Sequence, residues 1–296
     1  MKKILFILIA FLTFNAYAAN DCQDGEQNCW DCGKTSADLC TARLNGTELS
    51  ITGTGDMKDY TLTGRGDAAV SDVPWGQDIT KVTIEGNQKD DNGNIIRSGI
   101  KSIGDDAFIG ATDLTDVSIP DSVTTIGWEA FYHTGITDLV LPDSVTNIEN
   151  YAFQRCYDLK GLVIPETLTS MGDLMFDHTP ATIYCPQPPE GQTSPCADKG
   201  AANLQYYTKD ENNFYQTTDG KLFASLDLMA AGAACTDAKN CQEILNSNGQ
   251  PFKVGSKIYN TIQDFANGNY VKHRIYTIDE ANRVAGDKNR VSIKYR

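Results

Sequence analysis

Three histidines in 296 residues leave little material for acid–base or metal chemistry. No spacing logic joins His133, His178 or His273 to a serine–aspartate pair or to a cysteine, so a nucleophilic triad is not expected. Basic residues are also scarce. Lys and Arg number 25 against 39 Asp and Glu, for a formal charge of −14, which opposes nonspecific nucleic-acid binding. Beyond the first twenty residues no stretch is apolar enough to cross a membrane. The short motifs are incomplete. Gly33-Lys34-Thr35 echoes a phosphate loop, but Asn28 stands where its first glycine belongs. Asp90-Asp91-Asn92-Gly93-Asn94 echoes a calcium loop, but Ile95 and Lys101 hold the positions of its required glycine and glutamate, so a polar turn is expected. These gaps exclude any cofactor or metal site that sequence alone could support.

What is there begins with a leader. Lys2 and Lys3 precede an apolar core, Ile4 to Phe14, and Ala16-Tyr17-Ala18 has the small residues of a cleavage site. The run is too short to span a bilayer comfortably. Asp21 before Cys22 argues against lipid attachment. A signal peptide over 1–18 is expected, with a mature chain from Ala19 whose formal charge is −16 once both lysines leave.

From Arg97 to Pro186 the chain repeats itself. Phe108, Phe131, Phe153 and Phe176 are spaced 23, 22 and 23 residues apart, and Pro120, Pro142, Pro165 and Pro186 close the units. Leu114, Val117 and Ile119 sit in an L-x-x-L-x-L frame, repeated by Ile136, Leu139, Leu141 and by Leu159, Leu162, Ile164. That alternation turns every second side chain of a short strand inward. Proline ends each strand because it has no N–H for the ladder. A second apolar pair follows, Val123 and Ile126 or Val145 and Ile148, and the Ala-Phe plugs the core from the opposite wall. One unit cannot bury its apolar face alone, whereas stacked units share a core. A fixed period in the low twenties marks a leucine-rich solenoid. Ile79, Val82 and Ile84 fit the same frame, so a divergent first unit starts near Asp78, followed by an insertion from Asn87 to Ile96.

The string I-P-D-S-V-T-x-I-G-x-x-A-F, with L-T-x-L after it, closely resembles bacterial surface leucine-rich repeats of the BspA type. The resemblance implies a curved solenoid on a secreted or surface protein, often credited with adhesion. It names no ligand, because fold does not fix function. The preceding segment resembles that family's opening module through Cys32-Gly33, Cys40, Gly53, Gly55, Met57 and Pro74-Trp75. Its alternating Ala42–Leu44 and Glu48–Thr52, joined by Asn45-Gly46, predict a β-hairpin, and Gly53 and Gly55 a turn or bulge. Its role would be to cap the open solenoid end. Arg65-Gly66-Asp67 spells an integrin-type tripeptide, better read as a polar turn.

All nine cysteines lie in the expected mature chain, where an oxidising compartment makes pairing the default. Cys156 occupies the slot of Ala111 and Thr134 in other units and is expected to be a small packed residue. The disulfide candidates are Cys22, Cys29, Cys32, Cys40, Cys185, Cys196, Cys235 and Cys241. Cys185–Cys196 and Cys235–Cys241 suit local pairs, and the first four permit three connectivities. Cys29-Trp30-Asp31-Cys32 has redox spacing, but no βαβ unit surrounds it, so a structural bridge is the better reading. The 22–29–32–40 spacing does not make two zinc knuckles.

After Pro186 the repeat signature stops and a Pro-rich stretch follows. Asn213–Thr218 and Lys221–Ser225 flank Asp219-Gly220, a hairpin signal. Leu226–Ala234 suits a short helix or a continuation of the hairpin, and Ile258, Ile262 and Phe265 have helical spacing. The end predicts strand, helix, strand, with a Thr277/Glu280 capping box and Gly286 as a stop. Residues 273–296 carry seven basic side chains, His273 included, against three acidic ones. They resemble a tail of some exported repeat proteins, which implies sorting or surface retention. A basic segment docked on the acidic remainder is the alternative.

The expected fold is mainly β: signal peptide 1–18, Cys-rich β cap 19–77, leucine-rich repeat solenoid 78–186, and a small α+β region 187–296 with the basic tail. The expected binding stripe is the outward row of the concave strands: Lys81, Thr83, Asp116, Ser118, Asp138, Val140, Gly161, Val163, Thr182 and Tyr184. The leading functional expectation is an exported, non-catalytic adhesion module for a protein or glycan on a host, matrix or neighbouring cell. The alternatives are a structural envelope component and a thiol oxidoreductase using Cys29 and Cys32.

Overall fold

The computed structural model describes residues 22, 26–210, 214–235, 241–242, 252–254 and 257–259. The leader and the strand–helix–strand expectation for the end of the chain lie outside them, as do Ile262, Phe265, His273, Thr277, Glu280 and Gly286.

The chain opens with β1 (Cys29–Asp31), β2 (Leu39–Asn45) and β3 (Glu48–Asp56), an antiparallel meander. Asn45 pairs with Glu48, so the two-residue turn is Gly46-Thr47, one place later than expected. Gly46 has φ 62, the positive angle that the first turn position of a hairpin demands. β3 then bends. Gly53 and Gly55 take φ 119 and 88, and the register shifts between Gly55 and Asp56. Only glycine enters those angles without strain. Through the bend one strand founds two walls: Glu48–Ile51 pair with the concave wall and Gly55–Asp56 with the opposite wall.

A small hairpin follows, β4 (Leu62–Thr63) with β5 (Val70–Ser71). The concave wall continues with β6 (Lys81–Ile84), and the insertion forms a second hairpin, β7 (Gln88–Lys89) with β8 (Ile95–Arg97). Each later unit gives one strand to each wall. The opposite wall runs β9 (Ile100–Ile103), β11 (Thr125–Ile126), β13 (Asn147–Ile148) and β15 (Ser170–Met171), all parallel. The concave wall takes β10 (Asp116–Ser118), β12 (Asp138–Val140), β14 (Gly161–Val163) and β16 (Thr182–Pro186). Thr124, Thr146 and Thr169 each donate a hydroxyl hydrogen bond to the carbonyl one unit back.

The turn that carries each Ala-Phe makes a third wall. Phe108 N–H donates to Ala130, Phe131 to Ala152 and Phe176 to Lys199. Stacking these turns requires two left-handed residues per unit. Asp106, Glu129, Tyr151 and Leu174 lie two before the phenylalanine at φ 49 to 61. Two after it lie Gly110, His133, Arg155 and His178 at φ 53 to 73. Between the walls sits the phenylalanine column, with ring centroids 5.3 Å apart for Phe108–Phe131 and 5.4 Å for Phe131–Phe153. Trp75 of the cap continues it at 6.3 Å from Phe108.

The repeat signature ends at Pro186, but the wall does not. β17 (Asn203–Lys209) adds in parallel to β16, five residues in register, and Lys199 accepts the next turn bond from Phe176. Ala201, Leu204 and Tyr206 keep the inward positions of the frame, but with only one of its leucines and without the closing proline or an Ala-Phe, so the repeat signature does not reach this coil. Next come β18 (Tyr215–Thr217) and β19 (Leu222–Phe223), the expected hairpin, and α1 (Leu226–Ala230), with the Ser225 hydroxyl accepting from Leu228 N–H. β20 (Phe252–Val254) and β21 (Lys257–Tyr259) pair antiparallel. Ile258 therefore lies in a strand and not in the expected helix. Phe252 and Val254 before Gly255-Ser256, and Ile258 and Tyr259 after it, are strand-favouring residue types that compete with the helical spacing.

Leu174 is a test of the turn geometry. It has φ 49 and is 46% exposed, so glycine would relieve backbone strain without emptying the core. Leu174→Gly is expected to raise stability by up to ~1 kcal/mol in urea unfolding.

Candidate functional site

The outward row of the concave strands divides in two. Toward the cap it is open: Thr83, Asp116 and Ser118 are exposed, while Lys81, Asp138 and Val140 are half-buried. Lys81 Nζ pairs with Asp116 at 2.8 Å, and the Thr137 hydroxyl donates to Asp138 at 2.9 Å. Toward the other end it is closed. Gly161 and Val163 are buried and Tyr184 is 6% exposed. Thr182 is half-buried and accepts from Asn203 of β17 at 2.7 Å.

The cover is the chain's own helix. α1 lies on β12, β14 and β16. Met229 and Ala230 join Val163, Tyr184, Tyr207 and Phe223 in one apolar cluster, with Val140 and Leu226 at its margin. A Cβ on Gly161 would strike the Ala230 carbonyl. The expectation that Gly161, Val163 and Tyr184 face a ligand is therefore corrected: they seat α1. Sequence reading missed α1, Asp227 and Ala230 as parts of the face. A signal existed. Asp116 and Asp138 give way to Gly161 in the same slot, and the outward residues turn from Ser118 to Val140 and Val163.

Where the two halves meet, an open groove of about 560 Å³ is lined by Thr115–Ile119, Thr137–Val140, Asp227 and Ala230. Among the described residues no group of three His, Cys, Asp or Glu side chains is placed to hold a metal ion.

The other motifs resolve locally. Disulfides join Cys22 to Cys29, Cys32 to Cys40, Cys185 to Cys196 and Cys235 to Cys241. Cys29 and Cys32 thus have separate partners and are not a redox pair. Cys156 is free, fully buried and hydrogen-bonded to the Phe131 carbonyl; burial pushes its thiol up to about 11, far from a reactive thiolate. Asp67 of the Arg-Gly-Asp tripeptide accepts from Arg155 Nη1 at 2.6 Å and from Tyr157 at 3.0 Å. Its carboxylate is engaged inside the molecule, as a structural turn requires. Asp90 accepts from the backbone and side chain of Asn94, which makes the 90–94 segment a polar turn.

One buried acid stands apart. Asp106 is 7% exposed, and its Oδ1 has no hydrogen-bond partner among the described residues. Burial, then repulsion from Glu129, Asp105 and Asp72, pushes its carboxyl up to about 7 against a donated Leu62 N–H.

The repeats are of the BspA type: residues 92–186 match the model of the BspA type leucine rich repeat region, in six copies. None of the curated proteins matches the chain. Among solved structures the chain is similar to a leucine-rich repeat protein from Eubacterium ventriosum. That likeness has 21% identity, 64% of this chain, 48% of that one and a TM-score of 0.42. It is also similar to the T. pallidum leucine rich repeat protein, at 17% identity over 58% of this chain and 81% of that one, TM-score 0.35. For the pneumococcal vaccine antigen PcpA the figures are 14%, 65%, 53% and 0.24. The chain spans about half the length of the Eubacterium ventriosum protein. No helix among the described residues is long and apolar enough to cross a membrane.

Two outcomes test this geometry. Gly161→Asp restores the aspartate of the neighbouring units and drives it into Ala230. It is expected to cost ~1–3 kcal/mol and to open the α1 segment to proteolysis. Asp106→Asn concerns pH. The raised acid favours folding while protonated, below its unfolded value near 4. That contribution is lost as pH rises through about 7. The asparagine variant, which also tolerates the positive φ, should match the parent at pH 4 and exceed it by ~2 kcal/mol or more at pH 8 in thermal or urea unfolding.

Proposed function

We propose that the chain is an exported, non-catalytic protein-binding module that meets its partner with the open half of the concave face, in the manner of an adhesin. The partner is a protein or glycan on a host, a matrix or a neighbouring cell. One observation carries the reading. The chain covers the apolar outward row of β14 and β16 with its own helix and leaves the polar row of Lys81, Thr83, Asp116, Ser118 and Asp138 uncovered. A preformed surface binds with little backbone ordering, which suits recognition by a rigid repeat scaffold. The acidic balance disfavours nucleic acid as the partner. Export rests on the leader read from residues 1–18, and the four disulfides agree with an oxidising compartment. The separate pairing of Cys29 and Cys32 does not favour the thiol oxidoreductase reading.

Protease shaving of intact source cells tests this. The expected result is cleavage of this chain while a periplasmic control survives. Protection until the envelope is broken would overturn adhesion and make a structural envelope component the better reading.

A further inference from the structure

The concave wall has a break. β3 pairs with β6, and β6 with β10; β12 pairs with β14, β14 with β16, and β16 with β17. Between β10 and β12 no ladder forms. The same two units are joined elsewhere: β9, β11 and β13 pair without interruption, and Gly110 N–H donates to Tyr132 across the turns. The coils are thus stacked on two walls and parted on the third.

The parting leaves two strand edges facing each other. Among the described residues, Asp116–Ser118 pair only with β6, and Asp138–Val140 only with β14. The core shows at the floor. Val117 and Ile119 are half-buried, whereas their equivalents Val82 and Ile84, Leu139 and Leu141, and Leu162 and Ile164 are at most 6% exposed. The rim is acidic, with Asp116, Asp138 and Asp227 around the groove and Lys81 engaged by Asp116. The far side is closed by Ala230, so the groove has a wall as well as a floor.

We propose, resting on the protein-binding reading above, that this break is a docking site for an extended peptide that alternates basic and apolar residues. Free strand edges take up an added strand through main-chain hydrogen bonds, and alternate side chains give the specificity. An extended segment rises ~3.3 Å per residue, so each three-residue edge spans about 10 Å and engages a few residues. Its apolar side chains face Val117 and Ile119. Its lysines or arginines face Asp116, Asp138 and Asp227. A peptide without main-chain N–H groups meets the charge but not the edges.

The test uses the full mature chain and three labelled peptides in fluorescence polarisation: acetyl-Lys-Val-Lys-Val-Lys-amide, its backbone N-methylated form, and acetyl-Glu-Val-Glu-Val-Glu-amide. The lysine peptide should bind. The N-methylated and glutamate peptides should each bind at least about tenfold more weakly. Asp138→Lys should weaken the lysine peptide by a similar factor, while Lys209→Glu, on β17 away from the groove, should leave it unchanged. Equal binding of the N-methylated peptide would overturn strand docking in favour of charge alone. No binding at millimolar peptide, or binding indifferent to Asp138→Lys, would overturn the site. The two proposals fail separately. Cells shaved of the chain with peptides that do not bind would leave adhesion and remove the docking site. Peptide binding by a chain protected on intact cells would do the reverse.

Discussion

Every coil depends on the phenylalanine column, because a coil of twenty-two or twenty-three residues has no core of its own. Phe108, Phe131, Phe153 and Phe176 are at most 1% exposed, and the first three form a continuous ring contact that begins on Trp75 of the cap. Apolar area is removed from water only when coils meet, so stability belongs to the interfaces between units. Bringing those rings together fixes the turn around them. The chain must reverse before and after the ring, and it does so through left-handed residues two places to either side. Most of these are not glycine. Their strain persists because the turn-to-turn hydrogen bonds and the buried ring over-determine the geometry.

The ends follow from the same constraint, since a stacked coil exposes core and strand edge wherever the stack stops. At the start β3 bends at Gly53 and Gly55 to offer an edge to each wall, and Cys32–Cys40 ties β2 to the segment before it. At the finish β17 extends the concave wall, Cys185–Cys196 holds the connecting loop, and α1 folds back across the face. This last step limits what the face can do. Apolar outward residues at β14 and β16 are buried by the chain itself, so the uncovered part of the face is its polar half and the break between β10 and β12.

Much of the fold was legible in sequence because its causes are local. Alternation marks strand faces, proline marks strand ends, and a fixed period marks stacking. The small-residue slot of Ala111, Thr134 and Cys156 was readable for the same reason. The site was less legible. Asp116, Ser118 and Asp138 could be placed on the face from the repeat frame, but Gly161, Val163 and Tyr184 could not be known to lie under a helix. The turn at Gly46-Thr47 and the strand containing Ile258 differ from expectation because competing local signals were nearly balanced.

The amino-acid order by itself determined the period, the inward side chains, the two strand-bearing segments of each unit and the small hairpin at Asp219-Gly220. These depend on residues a few places apart. Tertiary structure alone decided which cysteines of the first four pair, that the wall runs one strand past the last repeat, that α1 closes half of the concave face, and that the ladder opens between β10 and β12. Each of these depends on a meeting of distant segments, as when the Ala230 carbonyl settles over Gly161. No local pattern encodes such a contact, because it forms only once the stacked coils have brought both surfaces to the same place.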